Sequence, residues 1–455
     1  MIRHKVLPNG RCLRRCFSTT ARRREVKSLE QLYDRIYPSY TETKNHDLLC
    51  LQWPSPPRNV LLTKKNNSPS VTDSLVEFAK HIGSSYPDVY IILEPHAATE
   101  VHESLPFPVY AGSKSLLPEK VDLVSTFGGD GTILHASSLF ATCRRVPPVL
   151  SFSMGTLGFL GEWKFKEYKR AFREVYMSGA SDAYGSTHEP ELSSSADTSS
   201  TPHKHASQPT GWSSIRGRAL GPHRSARILL RNRLKIGVFG PDGTRFSGAS
   251  STPTASASAS LPASATMTTN DPHDVYALNE IILHRGADPH LAIISVFIGG
   301  RFLTEAVADG MIISTPTGST AYSLSSGGSI VHPLVSSLLL TPVCPRSLSF
   351  RPLVLPANTP ITLRLSEKNR GREVELSVDG VRRPRGVGVG MEVRVWGEEI
   401  RGPEGGWDGG VPSVVRGAVG GGEGGGGGTQ DHWVGGLNGL LGFNYPFGER
   451  EGEGV

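Results

Sequence analysis

Within residues 122–137, DLVSTFGGDGTILHAS, three glycines and one carboxylate fill four consecutive positions, Gly128, Gly129, Asp130 and Gly131. The apolar run before them reads as a buried strand, and TILHASSLF after them has helical spacing with Thr132 near its start. A strand, a glycine loop and a helix N-terminus together suit phosphate, because no Cβ blocks the approach, backbone N–H groups point outward and the helix end carries partial positive charge. A carboxylate there would repel phosphate unless it had separate work, either accepting a proton from a hydroxyl nucleophile or holding Mg²⁺. The competing reading is a tight turn in which Asp130 caps the helix. The loop is not a Walker A motif, since no Gly-Lys-Ser/Thr follows.

Two further stretches carry polar groups in apolar surroundings. ALNEIILHRG (277–286) sets Asn279 and Glu280 at the start of an apolar strand, where they either reach water at a sheet end or meet a polar ligand. ADGMIISTPTGSTAYSLSSGG (308–328) runs a strand into five hydroxyls, Ser314, Thr315, Thr317, Ser319 and Thr320, followed by a short helical window. Such a segment suits ribose, adenine edges and phosphate oxygens, whereas a plain Ser/Thr turn would need only four residues.

The elements that must position these groups fall into two textures. Residues 58–179 alternate apolar runs such as NVLLT and PPVLSFS with amphipathic stretches such as VTDSLVEFAKHI, which predicts an α/β domain around a parallel sheet, Rossmann-like, carrying the glycine-carboxylate loop. Residues 223–396 hold strand-like runs punctuated by Gly, Pro and Asp-Gly, which predicts a β-sandwich-like domain. ARILLRNRLKIGVF reads there as strand. Residues 180–222, 241–273 and 401–430 are poor in apolar residues or run through glycine, and read as disordered inserts and a Gly-rich linker before a C-terminal segment, 431–455, whose glycines argue against a helix.

Charge and cysteine content narrow the function classes. Residues 1–27 hold nine Lys or Arg against one acid, so the net charge of +6 becomes −2 over the rest of the chain. That placement argues against a nucleic-acid partner. The same leader, Arg-rich and nearly free of acids, has the composition of a mitochondrial import signal, and RCFSTTARRR resembles a two-step processing site of that pathway. No window approaches 18 uninterrupted apolar residues, so no membrane partner is expected. Cys50, Cys143 and Cys344 form no metal or disulfide spacing.

FGGDGT, GTLGFLG (155–161), LNEIILHRG and DGMIISTPTGSTAYSLSSGG occur in the order and kind of the NAD kinase family, and the chain resembles its fungal mitochondrial branch. The resemblance implies transfer of the γ-phosphoryl group of ATP to the 2′-hydroxyl of the adenosine ribose of NAD or NADH, with Mg²⁺, in a homo-oligomer in the mitochondrial matrix. Asp130 then matches the general base, with Gly128, Gly129, Gly131 and Thr132 beside the phosphates. Asn279 and Glu280 match the pair that meets the dinucleotide, while Asp309, Thr317, Ser319, Thr320, Ala321, Tyr322 and Ser325 match adenine and ribose contacts and Phe159 lines the pocket. SVDG (377–380) also matches, although an Asp-Gly hairpin turn explains it equally well. Lipid kinases share the Asp130 loop, and a non-catalytic dinucleotide-binding protein could share all of these motifs; His135 and His284 are assigned no chemistry.

Overall fold

The computed structural model describes residues 25–43, 46–155, 158–161, 163–179, 226–246, 274–402 and 406–416, together with Trp433, Leu437 and Leu441. The leader through residue 24 and the insert at 180–222 lie outside the described residues. In chain order the first lobe contributes β1 (Val26–Ser28), β2 (Ser39–Thr43), β3 (His46–Gln52), β4 (Asn59–Lys64), α1 (Pro69–Ser85), β5 (Tyr90–Leu93), α2 (Pro95–Val101), β6 (Val109–Ala111) and α3 (Leu117–Lys120). It continues with β7 (Leu123–Gly128), α4 (Asp130–Ser138), β8 (Val149–Ser153), β9 (Trp163–Lys164), α5 (Tyr168–Tyr176) and β10 (Arg227–Arg231).

The second lobe follows as β11 (Leu234–Phe239), β12 (Arg245–Phe246), β13 (Val275–Ala277), β14 (Glu280–His284), β15 (Ala292–Ile298), β16 (Arg301–Ala308) and β17 (Gly310–Ser314). After α6 (Tyr322–Ser325) come β18 (Ser337–Val343), β19 (Leu353–Pro356), β20 (Ile361–Leu365), β21 (Glu373–Val378), β22 (Val381–Arg382), β23 (Val387–Gly388) and β24 (Glu392–Gly397). The chain then returns to the first lobe as β25 (Val411–Val415).

Eleven strands make the first sheet, in the order β1-β6-β5-β4-β7-β8-β25-β10-β3-β2 with β9 beside β8. Its β4 alternates between two cores: Val60 and Leu62 pack with Phe78 and Phe172 on one face, Leu61 with Ile133 and Phe140 on the other. Burial on both faces is what a parallel sheet covered by helices requires, and it explains the near-continuous apolar runs. The β lobe has two antiparallel sheets, β12-β11-β24-β20-β15-β16 and β19-β18-β17-β14-β21-β22, with β13 and β23 as side partners. Ile236, Ile294 and Val393 from one meet Ile281, Ile313 and Val378 from the other in a shared core, so the predicted sandwich is observed.

The domain limits differ from those expected from texture. The α/β lobe starts well before residue 58, because β1 adds to the edge of the sheet beside β6 and β3 pairs with β10. Asp122 secures this early segment: one carboxylate oxygen accepts from Ile36 N at 2.6 Å and the other from Arg58 N at 2.7 Å and Asn59 N at 2.8 Å. ARILLRNRLKIGVF is two strands in two different lobes, parted between Arg231 and Leu234. The expected Gly-rich linker contains β25, inserted between β8 and β10, and the expected insert at 241 begins with the turn into β12. Trp433, Leu437 and Leu441 are helical despite the neighbouring glycines.

Val414 in β25 is 4% exposed in the main core. Val414→Asp should therefore cost several kcal/mol, on the order of the price of an unpaired buried carboxylate. Val381→Asp, at 58% exposure, should cost little. Urea midpoints of the two variants make the comparison; equal midpoints would place 411–415 outside the folded unit.

Candidate active site

The glycine loop lies at the carboxyl edge of the parallel strands, where open α/β sheets bind ligands. Gly128 ends β7, and Gly129 caps α4 without a side-chain bond, so the first amides of that helix are left for a ligand. A Cβ at Gly129 or Gly131 would meet nothing within 4 Å, and the loop thus faces open space. Thr132 is buried against Gly128, and its N–H bonds the Gly129 carbonyl at 2.9 Å.

Asp130 does not cap its own helix. Its carboxylate reaches across to the 155–161 segment, accepting from Phe159 N at 3.0 Å and Leu160 N at 3.1 Å. Gly158 permits this approach, since a Cβ there would stand 2.1 Å from an Asp130 oxygen. Each oxygen takes one amide, which leaves lone pairs for a hydroxyl proton or a hard cation. Among the described residues no group of three or more His, Cys, Asp or Glu is built to hold a metal by itself.

Asn279 and Glu280 are 6% and 5% exposed, and Asn279 Oδ1 and Glu280 Oε2 are buried without a hydrogen-bond partner among the described residues. Such orphaned atoms are costly unless a ligand completes them. Their backbone is held from two sides. The Asp379 carboxylate accepts from Leu278 N, Asn279 N and Glu280 N at 2.8, 2.7 and 3.2 Å, while Thr315 N donates to Asn279 O and Thr315 Oγ1 to Leu278 O. Asp379 and Gly380, both at positive φ, form the two-residue turn of the β21–β22 hairpin. Turn and clasp are thus one structure: Asp379 is both the hairpin turn and the clasp on the Asn279–Glu280 backbone, so the two readings of SVDG left open by the sequence coincide. The signal for both was the Asp in SVDG. Burial, and then the Asp379 charge, push the Glu280 carboxyl up to about 7.

The hydroxyl-rich turn sits against this pair. Gly318 packs so tightly on the Asn279 carbonyl that a Cβ would stand 2.2 Å from it. Thr317 is buried, Thr320 and Ala321 are half-buried, and Tyr322 and Ser325 are exposed. Ser319 is fully buried, and its hydroxyl both donates to Val331 O and accepts from Val331 N, so it is engaged in structure rather than facing a ligand. Asp309 is also placed differently from the rest. The register Glu280↔Ser314 to His284↔Gly310 sets it beyond the far end of β17, about 17 Å of strand away, and there it pairs with Arg285 at 2.6 Å.

The two motif groups flank one core: Leu160, beside the Asp130 clasp, and Leu278, preceding Asn279, belong to the same core cluster with Ile133. Phe159 is half-buried next to them. Cations line the same edge of the sheet. Lys114, after β6, is close enough to Arg383, just past β22, for that charge to lower its pKa, although burial lowers it more. His135, one turn into α4, pairs with Glu94 at 2.8 Å, and this bond holds the imidazole above its ordinary pKa. His284 accepts from Gly286 N at 3.0 Å, a local turn bond.

Comparison with known proteins follows the same division. Family models described as the ATP-NAD kinase N-terminal domain and the ATP-NAD kinase C-terminal domain match residues 20–180 and 278–396. The chain is 35% identical over 434 residues to the mitochondrial NADH kinase pos5 of Schizosaccharomyces pombe, covering 93% of this chain and 86% of that protein. It is 33% identical to the mitochondrial NADH kinase POS5 of Saccharomyces cerevisiae, covering 93% and 89%. The crystal structure of yeast NADH kinase complexed with NADH superposes with a TM-score of 0.69 at 33% identity, over 93% of this chain and 97% of that one.

The raised Glu280 pKa has a signed consequence for stability. Between the ordinary carboxyl value of 4.5 and about 7 the folded state keeps a proton that the unfolded state has lost, so this group's contribution falls as pH rises through that window and is flat above it. Glu280→Gln should gain stability relative to the native chain by on the order of 2 kcal/mol between pH 5 and pH 8. Urea titrations at the two pH values test this, and parallel curves would contradict it.

Proposed function

The chain belongs to the NAD kinase family, and we propose that it transfers the γ-phosphoryl group of ATP to the adenosine ribose 2′-hydroxyl of NADH in preference to NAD, with Asp130 receiving the proton. The activity itself, phosphorylation of NAD(H), rests on the two family domains and on the NADH kinases matched over 93% of the chain. The observation that carries the mechanistic reading is that both motif groups flank one core. Asp130 is oriented by Phe159 and Leu160 beside an open glycine loop, and the orphaned Asn279 and Glu280 stand in the other wall. A lipid kinase would have no use for the 278–396 domain with its hydroxyl-rich turn. A purely binding protein would not need an oriented carboxylate at the phosphate loop.

The step is an in-line displacement. The ribose oxygen forms a bond to the γ-phosphorus, the bond to the β–γ bridging oxygen breaks, its electron pair leaves with ADP, and the hydroxyl proton passes to Asp130. A carboxylate is a weak base toward a ribose hydroxyl, so Asp130, held by the Phe159 and Leu160 amides, helps only as that hydroxyl becomes acidic late in the transfer. Positioning and charge neutralisation do more. The amides at the start of α4 and the cations Lys114, Arg383 and His135 supply part of that neutralisation. Mg²⁺, bound through nucleotide phosphates with Asp130 as the available carboxylate, would add charge neutralisation at the phosphoryl oxygens.

The relatives are mitochondrial, which supports reading the residues ahead of β1 as an import leader, ending short of the expected residue 27 because Val26 and Lys27 pair with β6, and the matrix as the place of action. Asp309, standing apart from the rest of the site, fits a homo-oligomer in which it meets the dinucleotide of a neighbouring copy.

A coupled assay with ATP, Mg²⁺ and either dinucleotide tests the reading. NADH should give the higher initial rate. Asp130→Asn should cut turnover at least about 100-fold, the lower end for base catalysis, while calorimetry still detects nucleotide binding. Turnover near the native value would remove Asp130 from the proton step, and a higher rate with NAD would reverse the acceptor assignment.

A further inference from the structure

The C-terminal residues Trp433, Leu437 and Leu441 are four apart, helical and half-buried, the spacing of one face of a helix. The Trp433 ring stands edge-on to His332, centroids 4.7 Å apart at 78°. His332 is itself fixed, with Nδ1 accepting from Leu334 N at 3.2 Å and its carbonyl from Val335 N at 3.0 Å. One residue earlier, Val331 exchanges two hydrogen bonds with the buried Ser319 hydroxyl, donating at 3.0 Å and accepting at 3.3 Å. Ser319 belongs to the turn whose Gly318 lies against the Asn279 carbonyl.

An unbroken series of contacts thus runs from Trp433 to the acceptor wall, through His332, Val331, Ser319 and the 317–320 turn. We propose that Trp433 is a positioning residue for the dinucleotide, holding the hydroxyl-rich turn in its binding shape through His332. The inference rests on the reading that this turn meets NAD(H). Ser319 illustrates the logic. Its hydroxyl is unavailable to a ligand, so its value to the site lies in fastening the loop that carries His332. None of the contacts touches the Asp130 loop, so the effect should fall on acceptor affinity and leave the chemical step alone.

Steady-state kinetics of the full-length protein separate these effects. Trp433→Ala should raise KM for the dinucleotide roughly 5- to 10-fold, with kcat and KM for ATP within about twofold of native, whereas Trp433→Phe, which keeps a ring against His332, should restore the native KM. Ser319→Ala should raise the same KM, and the Trp433→Ala, Ser319→Ala double variant should show much less than the product of the single effects, because both break one series of contacts. His332→Ala reads the same link from the loop side should Trp433→Ala fail to fold. Unchanged dinucleotide KM, equal loss for both nucleotides, or full independence of the two substitutions would overturn the proposal. A native protein inactive with NAD and NADH would instead overturn the functional reading beneath it.

Discussion

The relation of the two lobes depends on one buried ion pair. Arg233 and Glu398, with side chains 1% and 3% exposed, meet through Nε at 2.7 Å and Nη2 at 2.6 Å. Desolvating two charges is expensive, and such a pair holds only if the remaining donors and acceptors are also met. Here they are. The guanidinium donates to the Cys143 and Arg144 carbonyls and stacks 4.2 Å from the Tyr276 ring centroid, and Glu398 accepts from Gly410 N. The segments that converge are the loop after α4, the end of β24, the approach to β25 and the crossing between β10 and β11. The last three lie where the chain crosses between lobes, and the first belongs to the α/β lobe alone. A fixed crossing means that the phosphate loop and the acceptor wall are preset relative to one another, which is where most of the advantage of a phosphoryl-transfer enzyme originates.

That preset cleft treats its two carboxylates differently. Asp130 is half-exposed, and each of its oxygens receives one amide. Glu280 is buried beside Asp379 with one oxygen unpartnered, an environment that favours the protonated form. Asp379 ionised stabilises three amides of the strand entry and at the same time raises the cost of ionising Glu280, so the positioning of the acceptor wall and its charge state are coupled.

Local signals in the sequence were enough for the loop, the alternation of the first lobe and the β texture of the second, because each depends on neighbours in the chain. Long-range pairing was not legible. Val411–Val415 is a five-residue run in glycine-rich surroundings, and only its seat between β8 and β10 makes it a strand. In ARILLRNRLKIGVF the polar Arg231, Asn232 and Arg233 mark only a pause, yet Arg233 anchors a change of lobe there, a role that needs Glu398 from 165 residues away. The same limit hid the clasp made by Asp379, whose three acceptor bonds reach back about a hundred positions. Ser319 and Thr320 look alike in sequence, but Val331 claims the hydroxyl of only the first.

Antiparallel pairing explains why motifs so far apart in the chain meet at one place. In the sheet β18-β17-β14-β21, the start of β14 lies opposite the end of β17, with Glu280 paired to Ser314, and opposite the end of β21, with Ile281 paired to Val378. The residues just outside those three strand ends are Asn279, the 315–320 turn and Asp379, so a single register brings all three to one edge. The other edge receives what lies at the opposite strand ends: His284, Arg285 and Asp309. A one-residue slip of β14 would turn Glu280 to the opposite face of the sheet. Three amides on one carboxylate and a glycine against a carbonyl make that slip costly, and the geometry of the acceptor wall is therefore a consequence of strand register as much as of the side chains it displays.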